Sequence, residues 1–232
     1  MNRRTLLLSG GTALVVAGAY GVFSTWGGSA ARLGATLIEP SAALAQTTAD
    51  PAEIDLSRVI DMEEGNPDAA VTIIEFASFT CPHCAHFNQT VYRQIKEAYI
   101  DTNLVRFIYR EVYFDAYGLW AALVARCGGE MRYFGIVDIL YAEQSEWAHS
   151  DDSNVVAENL RRIGRRAGMT DEQLNTCLTD RPMAMSLMQT YQNNVEEFAV
   201  RGTPSFVING TMHTNMGFDE FRAIIDPLLA AE

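Results

Sequence analysis

The chain has 232 residues, 48% of them hydrophobic, with 17 Lys and Arg against 29 Asp and Glu and a formal net charge of -12. That apolar fraction excludes a disordered chain, and the acidity excludes a nucleic-acid partner, whose phosphates a protein meets with basic surface. Four cysteines, an even number, suit two disulfides in an oxidising compartment.

The N-terminus speaks for such a compartment. Asn2-Arg3-Arg4 is a basic start, no charge appears from Thr5 to Ala31, and Leu6–Leu8 with Ala13–Ala17 form an apolar middle. Ala43-Leu44-Ala45 before Gln46 has the small-x-small form of a cleavage site. Residues 1–45 therefore read as an export signal, a signal peptide leading to the periplasm or another extracytoplasmic space. Arg3-Arg4 before Thr5-Leu6-Leu7 also resembles a twin-arginine signal. The uncharged stretch is long enough to span a bilayer, so an uncleaved anchor stays open. Residues 46–57, polar and Ala-rich, read as a short tail.

Val59-Ile60 is placed as an edge strand and Asn66-Pro67-Asp68 as a turn. Val71–Ala77 is an apolar run that reads as a buried strand. Phe87, Val91, Ile95 and Ala98 then recur at helical spacing to about Tyr99, and Asp101-Thr102-Asn103 breaks the helix. Leu104–Tyr109 reads as a second strand, and strand, helix, strand in this order makes a parallel pair. From about Ala116 to Ala199 only helical patterns follow. Trp120, Leu123, Val124 and Cys127 share one face, and Gly128-Gly129 stops that helix. Met131 to Ala142 is a second, and Ser153 opens a third that ends at Gly168. Thr170-Asp171-Glu172-Gln173 matches a capping box, and Pro182 starts the last helix of the series. Arg161, Arg162, Arg165 and Arg166 look like a basic patch, but their place near a helix C-terminus makes a solvated face the better reading. Sheet character returns at Ser205–Ile208, and Asn209-Gly210 before Thr211-Met212-His213 signals a hairpin. A final helix turns Phe221, Ile224, Ile225 and Leu228 inward. The fold class is α/β, with a sheet domain over 58–113 and 201–232 interrupted by a helical insert over 114–200.

The chemistry centres on Cys81-Pro82-His83-Cys84, where the buried strand ends and the helix begins. A helix N-terminus offers unpaired N–H groups and a positive dipole end, and both favour a thiolate. Pro82 fits the first turn, having no N–H to leave unpaired. Cys81 is the candidate nucleophile and Cys84, one turn on, the resolving thiol. His83 is placed to donate to the Cys81 thiolate and, when protonated, to add positive charge. Cys81, Cys84 and His86 make three zinc-capable groups, but a closed site needs a fourth, so neither metal nor cofactor is expected. Cys127 and Cys177 each lie on the apolar face of a helix and are expected to form a disulfide, two buried free thiols being the alternative.

Glu75 through Cys84, with Gly202-Thr203-Pro204 downstream and helices between, resembles the DsbA-like thiol-disulfide oxidoreductases. The resemblance covers residues 58–232 and implies a thioredoxin fold with an inserted all-helical domain. It implies that Cys81 and Cys84 form a redox-active disulfide, that Glu75 moves a proton to and from Cys84, and that Pro204 is cis and faces the pair. Thr203 and Pro204 would line the site for an unfolded or partly folded client. Threonine before that proline is frequent in isomerases, whereas many oxidases carry valine. The expected function is an exported dithiol oxidase with a DsbB-like membrane reoxidant, acting as a monomer. A disulfide isomerase or reductase is the enzymatic alternative, and a binding or metal-handling protein on the same fold is the non-enzymatic one.

Overall fold

In the computed structural model, which describes residues 54–231, the strand before the cysteine pair is the centre of a five-stranded sheet. The export-signal reading and residues 46–53 of the tail lie outside the described residues. β2 (Val71–Ala77) pairs in parallel with β3 (Val105–Glu111) and antiparallel with β4 (Ser205–Ile208). β1 (Met62–Gly65) and β5 (Thr211–Thr214) pair antiparallel with β3 and β4 and form the two edges. A strand covered on both faces needs apolar residues on both, and Val71, Ile73, Phe76 and Ala77 are fully buried. Asn209 does more than turn the β4–β5 hairpin. Its side-chain Oδ1 accepts from Thr72 N–H at 2.8 Å and its Nδ2 donates to the Ala70 carbonyl at 3.0 Å, pinning the start of β2.

The edge strand begins later than Val59-Ile60. Leu56–Arg58 form a 3-10 turn that Val59 N–H closes, and the Ile60 carbonyl accepts from Arg126 instead of from a strand. The ladder starts where Met62 pairs with Tyr109 and is buried. It stops at Gly65, whose φ of 85° and 2.1 Å approach of a would-be Cβ to the Val105 carbonyl admit only glycine.

The crossover helix starts as α1 (Pro82–Phe87) and continues through a π turn (Asn88–Tyr92), α2 (Arg93–Ile95) and a second π turn (Lys96–Ile100). Each π turn adds a residue and rotates the inward face. Tyr92 therefore takes the fully inward place that helical spacing gives to Val91, and its hydroxyl reaches the Glu64 carboxylate.

Between β3 and β4 the helices are α3 (Ala116–Cys127), α4 (Glu130–Ala142), α5 (Gln144–Trp147), α6 (Ser153–Arg166), α7 (Asp171–Leu178) and α8 (Arg181–Glu197); α9 (Phe218–Ala230) follows the hairpin. The capping box at Thr170 forms, and Gly168 ends α6 with φ 85°. Arg162, Arg165 and Arg166 pair with Glu143, Glu146, Glu158 and Asp171 across the surface, as a solvated face would. One buried cluster runs from Ile73 of β2 through Tyr133 of α4 to Leu160 of α6, so helices and sheet share a core.

The sulfurs of Cys127 and Cys177 are bonded, joining the end of α3 to α7. In the chain-entropy view a loop of 50 residues restricts the unfolded chain by about 4 kcal/mol. Replacing both cysteines by serine is therefore expected to lower unfolding stability by about that amount, read from urea titrations of the two proteins.

Candidate active site

The β2–α1 junction places Cys81 at the N-cap of α1, in extended backbone, with Pro82 in the first turn. Its side chain is 8% exposed, whereas Cys84 is at 0%. Both are free thiols here. The Cys81 thiol donates to the Thr203 carbonyl at 3.5 Å. Its pKa falls to about 5. The largest cause is the hydrogen bond from the Cys84 thiol; burial opposes it, and the Thr203 side chain and the backbone N–H groups of Cys84 and His83 add to the lowering. Cys84 is pushed up, first by burial, then by the bond it makes to Cys81 and by the nearby Glu75. One sulfur thus holds the negative charge and the other holds the proton.

Glu75 projects from the middle of β2 and is 3% exposed, with Oε1 unpartnered. Burial, and then the Cys81 charge, raise its pKa to about 8, so it is a neutral acid at pH 7. Its register neighbour on β3 is Tyr109, whose hydroxyl lies 2.5 Å from that of Tyr141 on α4. Tyr141 donates in turn to the Ser78 carbonyl at 3.2 Å, and the Phe79 ring stacks on Tyr109. Water is thereby kept from the inner side of the pair by aromatic rings.

The Thr203–Pro204 bond is cis. The Thr203 hydroxyl is buried with no oxygen or nitrogen partner, and the same residue lowers the pKa of both thiols. Beside it opens a groove of about 460 Å³ lined by Arg201, Gly202, Pro204, Met212 and Thr214 among others. The structure thus gathers Cys81, Cys84, Glu75, Thr203 and Pro204 in one place. His83 differs from the sequence expectation. Its ring is exposed and takes part in no hydrogen bond among the described residues, and the group that faces the Cys81 sulfur is its backbone N–H. His86 is exposed on the same helix. Tyr109 and Tyr141 escape sequence reasoning because each reads as an ordinary core aromatic. Their hydroxyls alone set them apart, since a buried hydroxyl needs a partner.

Fold and site together define a dithiol protein of the thioredoxin type, with one thiol held as thiolate at a helix N-terminus. A family model described as thioredoxin matches residues 58–227. A Rickettsia bellii protein named as a protein-disulfide oxidoreductase is 34% identical over 167 residues, which are 72% of this chain and 63% of that protein. The chain thus spans less than two thirds of the length of that relative. A Bacillus anthracis protein named as disulfide bond formation protein D is 27% identical over 173 residues, 70% of this chain and 75% of that protein. The crystal structure of Wolbachia pipientis alpha-DsbA1 superposes with a TM-score of 0.69 at 27% identity, covering 74% of this chain and 92% of that one. The chain belongs to the thioredoxin family and, within it, to the DsbA-like thiol-disulfide oxidoreductases.

Proposed function

We propose that the protein is an exported dithiol oxidase, handing its Cys81–Cys84 disulfide to client proteins that fold outside the cytoplasm. A client thiolate attacks the Cys81 sulfur, and the Cys81–Cys84 bond breaks. Cys84 leaves, taking its proton from the neutral Glu75 carboxyl. The client's second thiolate then attacks the client sulfur of the mixed disulfide. Cys81 departs as a stable thiolate that needs no proton. Two electrons have passed from client to protein, and a DsbB-like membrane oxidase would return the dithiol to the disulfide. The groove beside Pro204 takes the client chain, and the protein acts as a monomer.

The observation that carries this reading is the opposite displacement of the two thiols, Cys81 down to about 5 and Cys84 up. A stabilised thiolate stabilises the reduced protein and so makes the disulfide easier to give away. The test is the reduction potential of the Cys81–Cys84 pair against glutathione buffers. A value well above thioredoxin's, roughly −270 mV, is expected; a value at or below it would make the protein a reductase. Refolding of scrambled-disulfide substrates, if faster than oxidation of reduced ones, would favour the isomerase.

The same displacement predicts a pH dependence with a definite sign. A folded-state pKa below the unfolded one adds stability above the ordinary thiol range, near 8.5, and loses it as pH falls through the folded value. The reduced protein is therefore expected to melt above the oxidised one at pH 7, with the gap narrowing as pH falls through about 5. Calorimetry of both forms at pH 7 and pH 4 reads it. A gap that does not change over that range contradicts the thiolate assignment.

A further inference from the structure

The turn Ser78–Cys81 is anchored from outside the sheet. Gln144, the first residue of α5, is 7% exposed, and its side-chain amide donates to two carbonyl oxygens of this turn. One is Phe79 O at 2.8 Å and the other is Cys81 O at 3.0 Å. An amide has two N–H hydrogens, so one goes to each carbonyl and none is left over. One turn earlier, Tyr141 donates to Ser78 O. Residues 141 and 144 of the helical stretch thus hold three of the four carbonyls that lead into the cysteine. The fourth residue, Thr80, is tied by its hydroxyl to Asp115, the N-cap of α3, at 2.7 Å.

We propose that Gln144 is a positioning residue for the dithiol chemistry, its amide holding the Phe79 and Cys81 carbonyls away from the sulfur so that neither joins the Thr203 carbonyl against it and the His83 and Cys84 N–H groups stay aimed at it. Two features support this beyond simple packing. Cys81 O already accepts the first helical bond, from Ala85 N–H at 3.2 Å, so Gln144 locks the N-cap peptide whose orientation aims the N–H groups of His83 and Cys84. A carbonyl that swung toward the sulfur would set a negative dipole end against a thiolate, reversing what the helix terminus supplies. The helical segment, which carries none of the reacting groups, thereby sets the reactivity of Cys81.

The inference rests on Cys81 being the thiolate, and the wild-type titration tests that premise separately. Gln144→Met fills the same space without donors. Following thiolate absorbance of the reduced protein against pH, its Cys81 midpoint is expected to rise by about half a unit to one unit, some three- to tenfold less thiolate below the midpoint. The glutathione equilibrium of the pair should move toward a weaker oxidant. Trp147→Phe serves as control. Trp147 is fully buried three residues on, and its indole donates to Leu140 O, so its loss loosens α5 without touching the turn. Its melting point should fall while the Cys81 midpoint stays at the wild-type value. Should Gln144→Met fail to fold, Gln144→His keeps one ring donor and is expected to give an intermediate midpoint. A wild-type midpoint in either Gln144 variant, or an equal shift in Trp147→Phe, overturns the role. An ordinary midpoint in the wild type instead overturns the donor reading itself.

Discussion

Cys81→Ser is expected to abolish thiol–disulfide exchange completely, and Cys84→Ser to leave the protein covalently joined to its client. The difference follows from where each sulfur sits. Cys81 is at the helix N-cap, 3.5 Å from the carbonyl of Thr203, which lines the Pro204 groove. Of the two sulfurs' residues it alone keeps some exposure, so it is the one an incoming thiolate reaches. Without it no mixed disulfide can form, and the remaining thiol is fully buried and held protonated. With Cys84 replaced, the Cys81 thiolate still attacks a client cysteine carried as a mixed disulfide with a small thiol, expelling that thiol. No sulfur at position 84 can then attack Cys81 and free the client, and a client with one cysteine has no second thiol to do so, so the adduct stays. The largest cause of the Cys81 pKa lowering is the bond from Cys84. A serine hydroxyl keeps a donor there, so the Cys81 titration is expected to move up in Cys84→Ala and to move less in Cys84→Ser. Non-reducing gels with an unfolded client whose single cysteine is activated as a mixed disulfide with a small aromatic thiol read the trapped species. A Cys81→Ser protein that still oxidises clients would remove the site assignment, whichever cysteine remained.

Much of this site is legible in the sequence because it is local. An apolar run, a helix-starting proline and a spaced cysteine pair lie within Val71–Phe87, and each feature acts on its near neighbours. The hairpin is legible for the same reason: Asn209 and Gly210 adopt φ of 43° and 83°, the positive values such a turn needs. What escapes is made at long range or by backbone. Gln144 reaches Phe79 across 65 residues and Tyr141 reaches Ser78 across 63, and no periodicity marks either. The π turns escape because helical spacing assumes a constant residue count per turn, which places Val91 rather than Tyr92 inward. His83 is legible as a residue near the sulfur but not as a backbone donor, since sequence displays side chains and leaves the N–H groups implicit. Glu75 stands out early because an acid inside an apolar strand must be neutral, paired or functional, and here burial keeps it neutral.

A stability loss as large as that of the Cys127–Cys177 disulfide is expected at Arg126. Its guanidinium meets Glu111 at the end of β3 through two parallel bonds, Nε to Oε1 and Nη2 to Oε2, each 2.7 Å, with side-chain exposures of only 7% and 4%. The remaining Nη1 donates to Ile60 O at 2.9 Å, and Tyr133 of α4 donates to Glu111 Oε1 at 2.7 Å. Three separate parts, the approach to β1, the end of β3 and the helices α3 and α4, meet at this pair. Removing one partner of a buried ion pair leaves the other charged and dry, so Arg126→Met is expected to cost about 3–5 kcal/mol. The pair as such contributes much less, because desolvating both charges offsets most of their attraction. Adding Glu111→Gln to Arg126→Met should therefore recover a good part of the loss, since the neutral amide still accepts from Tyr133. Urea titrations of both variants decide between these effects. If the double variant is as unstable as the single one, the loss comes from the severed Ile60 bond and from the guanidinium's place over the Tyr133 ring, 5.8 Å from its centroid, rather than from a stranded carboxylate. The join between sheet and helices would then rest on packing, not on charge.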